Sequence, residues 1–352
     1  MKTIYTLIGI ALCALLLAGG PRVEGQGEQR VYLPVMVTPP QRVALATLQA
    51  PSNPWDRALA RIVSVNTGGS DVRVLTNSDS FSDYHPAWSP RGGRIAFIST
   101  REITPQLYLM SPDGNGQTRL TGGLQGVERL RWSPDGSRIA FADLAGRLWL
   151  VNADGSGLLK LEEVRVPAFS WAPDGTSLAY SILGPQNPDT QIYGGLLKRV
   201  RLAGTVPAYT TLYTDTQQIR RVAWSPDSSQ IAFGCAEGLC AVGPDGGGFT
   251  VIAPIKPEGL AWSPDSARIA ASSDKLYLID RDGGNQQELF TPIWNDVSPT
   301  NLQWSPDGSS VGLQLYKPPS TGDRSPLAEV WIIGLDGSKT LLGSAVGYSW
   351  SR

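Results

Sequence analysis

One phrase recurs along this chain, and it constrains the fold more than any other feature. AWSPRGGRIAF begins at Ala87, RWSPDGSRIAF at Arg131, SWAPDGTSLAY at Ser170, AWSPDSSQIAF at Ala223, AWSPDSARIAA at Ala261 and QWSPDGSSVGL at Gln303. The sequence closes on YSWSR, which puts a further tryptophan in the same role. The anchors are thus Trp88, Trp132, Trp171, Trp224, Trp262, Trp304 and Trp350. Their spacing runs from 38 residues (Trp224 to Trp262) to 53 (Trp171 to Trp224). Self-similarity at such a period marks stacked copies of one supersecondary unit.

Each copy reads as four short strands. In the copy around Trp132, Val127 to Trp132 leads into a turn at Pro134-Asp135-Gly136. Arg138 to Ala142, Arg147 to Val151 and Leu158 to Leu161 follow, with a second turn at Ala153-Asp154-Gly155. Proline presets φ, aspartate hydrogen-bonds its own backbone, and glycine accepts a positive φ. No long segment of helical period occurs beyond the first 20 residues, so the expected fold class is all-β. A four-stranded unit cannot bury both faces alone, whereas units stacked face to face around a channel can; that architecture is a β-propeller. The tryptophans are expected to pack between neighbouring blades rather than to stack on a ligand.

The two ends predict ring closure. Arg42 to Leu48, Leu59 to Val65 and Asp71 to Leu75 match the last three strands of a copy, and the missing first strand is supplied by VGYSWSR. Seven blades closed by the N- and C-terminal strands are expected, with six blades and untidy ends as the alternative. Pairing the termini removes exposed strand edges.

Ahead of the propeller (42–352), residues 1–25 have the outline of a secretory signal peptide. Lys2 is followed by an apolar run from Ile4 to Ala18 and a break at Gly19-Gly20-Pro21. A retained anchor is the alternative; a lipoprotein reading at Cys13 is weakened by the bulky Leu12 before it. Residues 26–41 read as a linker. The expected location is therefore outside the cytoplasm: periplasmic, secreted or at the cell surface. Disulfides persist there, and Cys235 and Cys240 flank a hairpin turn, so a Cys235–Cys240 bridge is expected in preference to two buried thiols.

The formal net charge of −1 gives no bias towards nucleic acid or anionic membrane. Sites of familiar chemistry are scarce. His85 is the only histidine, which excludes a multi-histidine zinc site, and a packed or solvated role is favoured for it. Asp280, Asp282 and Asn285 supply too few oxygen ligands for a calcium loop. Lys256, Glu258 and the Arg220-Arg221 pair read as solvated surface charges. No cofactor, no catalytic residue and no metal ligand is expected.

The repeats resemble those of the TolB-type propeller family, whose blades carry W-S-P-D-G, an apolar strand and a later D-G turn. The likeness covers about residues 42–352. Asp135, Asp174, Asp227, Asp265 and Asp307 fit the motif aspartate. Arg91 replaces it in the first copy, and the third has Ala172 for the motif serine. The resemblance implies a partner-binding propeller; a non-catalytic, monomeric scaffold with a protein partner is expected. Two departures bear on it: residues 26–41 are too few for the α/β domain that precedes the propeller in TolB, and no G-x-S-x-G elbow is present.

In a propeller the short SPDG and DG turns share one face. The variable stretches collect on the other: 49–57, 101–106, 183–195 and 317–327. Trp55, Tyr84, His85, Trp294 and Tyr316 fall in or beside it and form the candidate binding face. Two other functions stay open: a hydrolase or lyase with a carboxylate pair at the channel mouth, and an accessory propeller serving a separate enzyme.

Overall fold

The computed structural model describes residues 41–49, 59–186, 193–204, 206–293, 297–316 and 328–351. The expected signal peptide (1–25), the linker up to residue 40, Trp55, Trp294 and the 317–327 stretch lie outside the described residues. Seven four-stranded antiparallel sheets are present, and among the described residues there is no helix.

Blades 1 to 6 each run in sequence order from the tryptophan strand outwards. Blade 1 comprises Asp83–Trp88, Ile95–Ser99, Gln106–Met110 and Thr118–Arg119. Blade 7 is the closure. Tyr348–Trp350 pairs with Arg42–Gln49, which is followed by Leu59–Asn66 and Arg73–Val74. Val43 faces Trp350 and Leu45 faces Tyr348 in that antiparallel register. The two ends of the propeller are thereby joined through one sheet.

The stretch at 183–195, expected as a loop, is in part an extension of a hairpin. Ser177–Gln186 pairs with Tyr193–Arg201 as far as Gln186 opposite Tyr193. Continuing the ladder satisfies backbone groups that a loop would leave to solvent. This lengthened hairpin accounts for the wide interval between Trp171 and Trp224.

The apolar clusters lie between blades. Ala140, Leu148 and Leu150 of blade 2 pack with Trp171, Leu178 and Tyr180 of blade 3. All seven tryptophans are buried, with 7–9% of their surface exposed. Four of them also tie blade to blade by polar contact. The indole Nε1 of Trp132 donates to the Ala87 carbonyl (3.0 Å), that of Trp171 to Arg131 (3.2 Å), that of Trp262 to Ala223 (3.0 Å) and that of Trp304 to Ala261 (3.1 Å). In each case the acceptor precedes the tryptophan of the preceding blade.

Trp88, Trp224 and Trp350 are the exceptions, each with a buried indole nitrogen lacking a partner. At those junctions the residue before the preceding tryptophan is Ser349, Ser170 or Gln303, not the Ala or Arg found at the other four. Ser349 and Ser170 instead accept the backbone N–H of Trp88 and Trp224 (3.1 Å each), and Gln303 donates to the Tyr348 carbonyl (2.9 Å). Polar side chains at this position replace the indole tie with their own.

The SPDG turns explain their own recurrence. The buried Ser133 hydroxyl donates to Asp135 Oδ1 (2.6 Å) and accepts the Arg138 N–H (2.9 Å), while Asp135 Oδ1 takes the Ser137 N–H (3.1 Å). Gly136 has φ +68°, and where the motif has serine instead, Ser228 and Ser266 adopt +65° and +61°. The turn at Asp280–Asn285 closes on itself in a similar way: Asn285 donates to Asp280 (2.6 Å) and Gly284 to Asp282 (2.9 Å). Cys235 and Cys240 are joined across the hairpin formed by Ile231–Cys235 and Gly238–Val242, with Cα atoms 5.9 Å apart.

Candidate channel-mouth site

The innermost strands of blades 3, 4, 5 and 7 pair regularly with their neighbours. Those of blades 1, 2 and 6 do not. In blade 1, Tyr84 faces Ile98 and Ala87 faces Ala96, so three steps on the inner strand meet two on its partner. In blade 6, Thr300 faces Gln314 and Gln303 faces Gly312. In blade 2, Val127 faces Asp143 and Arg129 faces Ala142. Each inner strand therefore carries one extra residue, a β-bulge, near its start. Bulges bend a strand and re-aim its side chains, and they concentrate beside functional sites.

The three bulges converge on one cavity of ≈ 430 Å³ at the channel mouth, and they deliver His85, Glu128 with Arg129, and Asn301 to its wall. His85 (φ +51°) and Asn301 (φ +49°) are held in the left-handed region inside strands rather than in turns. That conformation costs of order 1–3 kcal/mol for a residue with a Cβ and persists only where surroundings enforce it. For Asn301 they are visible. Its carbonyl accepts the buried Tyr348 hydroxyl (2.7 Å), and its amide donates to Gln314 (2.9 Å), which in turn donates to the Ala345 carbonyl (3.2 Å). For His85, the Tyr84 ring stands edge-on at 5.3 Å, and Gly347 of the closing segment lies alongside.

The wall is basic. Arg129, Arg131 and Arg221 line this cavity, and the same three line an adjoining one of ≈ 200 Å³ together with Arg220. Glu128 is the one carboxylate in either wall. Arg221 pairs with Glu258 (3.4 Å) and also donates to its carbonyl (2.6 Å). Among the described residues Arg129 and Arg131 have no ion-pair partner. Arg131 donates to the Leu130 carbonyl (3.0 Å); Arg129 donates to the Val166 carbonyl and keeps a buried Nε without a partner. Desolvation pushes both guanidinium pKa values down; for Arg129 the charges of Arg131, Arg165 and Arg221 add to this, and Glu128 opposes. Desolvation, then the Arg131 charge, brings His85 down to about 4, although the residue keeps an exposed surface. At neutral pH the histidine is uncharged and the arginines supply the positive potential.

Of the expected face, His85 and Tyr316 line the cavity, and Tyr316 is half exposed. Tyr84 packs into the blade 1–blade 2 core. The 101–106 stretch folds Arg101 back onto Phe81 (4.6 Å) and Tyr108 (4.9 Å), with an ion pair to Asp83 (3.1 Å). Arg220 is exposed and Arg221 half-buried, in keeping with solvated charges, but both also line the smaller cavity and Arg221 the larger one. A carboxylate pair at the mouth is not what the described residues present, since Glu128 stands among arginines. Arg129, Arg131, Asn301 and Gln303 escaped the sequence reading. One signal was available: Arg131 is the only charged residue directly before an anchoring tryptophan.

Comparison with known proteins places this geometry in a family. Residues 56–228 match the TolB beta propeller domain. A stretch of 115 residues, 30% of this chain, is 37% identical to the Tol-Pal system protein TolB of Anaeromyxobacter dehalogenans, of which it covers 24%. Another of 129 residues, 36% of the chain, is 34% identical to YuxL of Bacillus subtilis, an uncharacterized peptidase, of which it covers 18%. The chain thus spans less than a quarter of either relative. Among solved structures, oligogalacturonate lyase from Vibrio parahaemolyticus superposes with a TM-score of 0.62 over 87% of each chain at 15% identity, a likeness of fold alone. The chain is thus a seven-bladed β-propeller with TolB-type repeats, of which residues 56–228 match the TolB beta propeller domain.

Proposed function

We propose that this chain is an exported, non-catalytic propeller that binds a protein partner through the face carrying the channel mouth. The observation that carries the reading is the convergence of three inner-strand bulges on one cavity at the channel mouth. The innermost strands of the other four blades pair regularly, so among the channel-lining strands the irregularity is confined to the three that meet at this cavity. The half-exposed Tyr316 at the rim supplies the amphipathic surface that interface centres use. The matches to TolB favour an interaction role over a catalytic one, and the signal-like residues 1–25 favour export.

The test is capture from native envelope extract by the immobilised propeller. Wild type is compared with His85→Ala/Tyr316→Ala at the mouth and with Arg91→Ala on the opposite, short-turn face. A protein retained by wild type and Arg91→Ala but lost from the double variant supports the reading. Retention by all three, or by none, removes it.

A further inference from the structure

The channel mouth has a charge imbalance that its own residues do not resolve. Arg129 and Arg131 lie inside the ring, are partly desolvated, and have no carboxylate partner among the described residues. Three guanidinium groups face a single carboxylate, that of Glu128, so the wall keeps an excess of positive charge that an entering anion relieves. Guanidinium matches carboxylate in shape as well as sign, donating two parallel hydrogen bonds.

The neutral amides are each partly engaged: Asn301 gives one N–H to Gln314 and Gln303 gives one to the Tyr348 carbonyl. The charged groups of the wall are three arginines against one glutamate, so its net charge favours an anion. The cavity is also large enough, at ≈ 430 Å³ with ≈ 200 Å³ adjoining, for more than one small anion.

We infer that the channel mouth binds an acidic peptide segment, with Arg129 and Arg131 taking its carboxylates and Arg221, tethered by Glu258, adding charge behind them. The inference rests on the protein-binding reading above and names the chemistry of the partner's docking segment. Positive potential in a low-dielectric mouth also raises the encounter rate with such a segment, and salt weakens that attraction.

The probe is a fluorescently labelled peptide containing four consecutive glutamates, beside the same peptide with glutamines, read by anisotropy with the propeller. Saturable binding of the glutamate peptide is expected, weaker by about tenfold or more for the glutamine peptide, a difference of about 1.4 kcal/mol. Raising salt from about 0.01 M to about 0.15 M shortens the Debye length from about 30 Å to about 8 Å and is expected to weaken binding. Arg131→Gln is expected to lose most of the affinity and Arg131→Lys less, with thermal melting confirming that each is folded. Should Arg131→Gln not fold, the two peptides and the salt response on wild type still decide.

Equal affinity for the glutamine peptide, or no saturable binding, overturns the inference. So does an acidic oligosaccharide binding more tightly than the peptide, or inorganic phosphate displacing the peptide at equal concentration. Failure of the peptide with mouth-dependent capture intact sinks this inference and spares the scaffold. Peptide binding without any captured partner does the reverse.

Discussion

The indole ties between blades make a matched pair of substitutions informative. Trp132 and Trp224 occupy equivalent positions and are equally buried, each 8% exposed. Trp132 Nε1 donates to the Ala87 carbonyl at 3.0 Å, whereas Trp224 Nε1 is buried without a partner. Replacing either by phenylalanine removes the same atoms from the same kind of junction, so the loss of apolar contact and the small cavity largely cancel between them. The polar terms do not cancel. Trp132→Phe gives up a hydrogen bond worth about 1 kcal/mol net and deprives a carbonyl of a partner. Trp224→Phe gives up none and relieves a buried unsatisfied donor, whose penalty is of order 1–3 kcal/mol. The first variant should therefore be less stable than the second by about 2 kcal/mol. Urea unfolding followed by circular dichroism measures the difference, provided the two transitions have equal slopes. A cost for Trp224→Phe equal to or above that for Trp132→Phe would refute the account of the ties.

His85 is the single histidine, so its imidazole resonance identifies itself. NMR titration should give a midpoint of about 4 rather than the ordinary 6.5, and a midpoint near 6.5 would contradict the desolvated site. Because the folded state resists protonating it, stability should fall as pH drops from 6.5 towards 4; His85→Gln should flatten that part of the profile. Desolvation alone would raise Asp135, but hydrogen bonds from Ser133 and Ser137 outweigh it and bring the carboxyl to about 2 from 3.8. Its contribution is complete above 3.8 and is lost as pH falls towards 2, so thermal midpoints should decline over that range, and less steeply in Asp135→Asn. Thiol titration of denatured chain lacking residues 1–25 should detect no free thiol, and Cys240→Ser, which opens that short ring, should cost about 2 kcal/mol. Removing residues 346–352 takes the inner strand from blade 7 and should yield aggregating material, since Arg42–Gln49 is left as an open edge.

The blade count and the closure were legible because they depend on local, repeated chemistry. A tryptophan, a proline-aspartate turn and an apolar strand impose the same four-stranded unit wherever they recur. The orphan strands at one end and the orphan tryptophan at the other have one mutual solution. Even the variation among indole ties follows one sequence position, since Ser170, Gln303 and Ser349 differ there from Ala87 and Ala223.

The channel mouth was not legible in that way. Arg131 and Arg221 are far apart in the chain, and only ring closure brings the innermost strands of blades 2 and 4 around a shared space. The three bulges arise because one extra residue is accommodated against a partner strand, and a strand's alternation does not reveal where that residue goes. Nor does it reveal that His85 and Asn301 take a positive φ, which for Asn301 is held by the Tyr348 hydroxyl of the next blade and by Gln314 of its own. By itself the sequence determined the unit, its number and how the ring is sealed, because those are set by contacts within a blade and between one blade and the next. Which charges face one another across the channel was decided by tertiary structure, because that depends on the curvature accumulated over the whole ring.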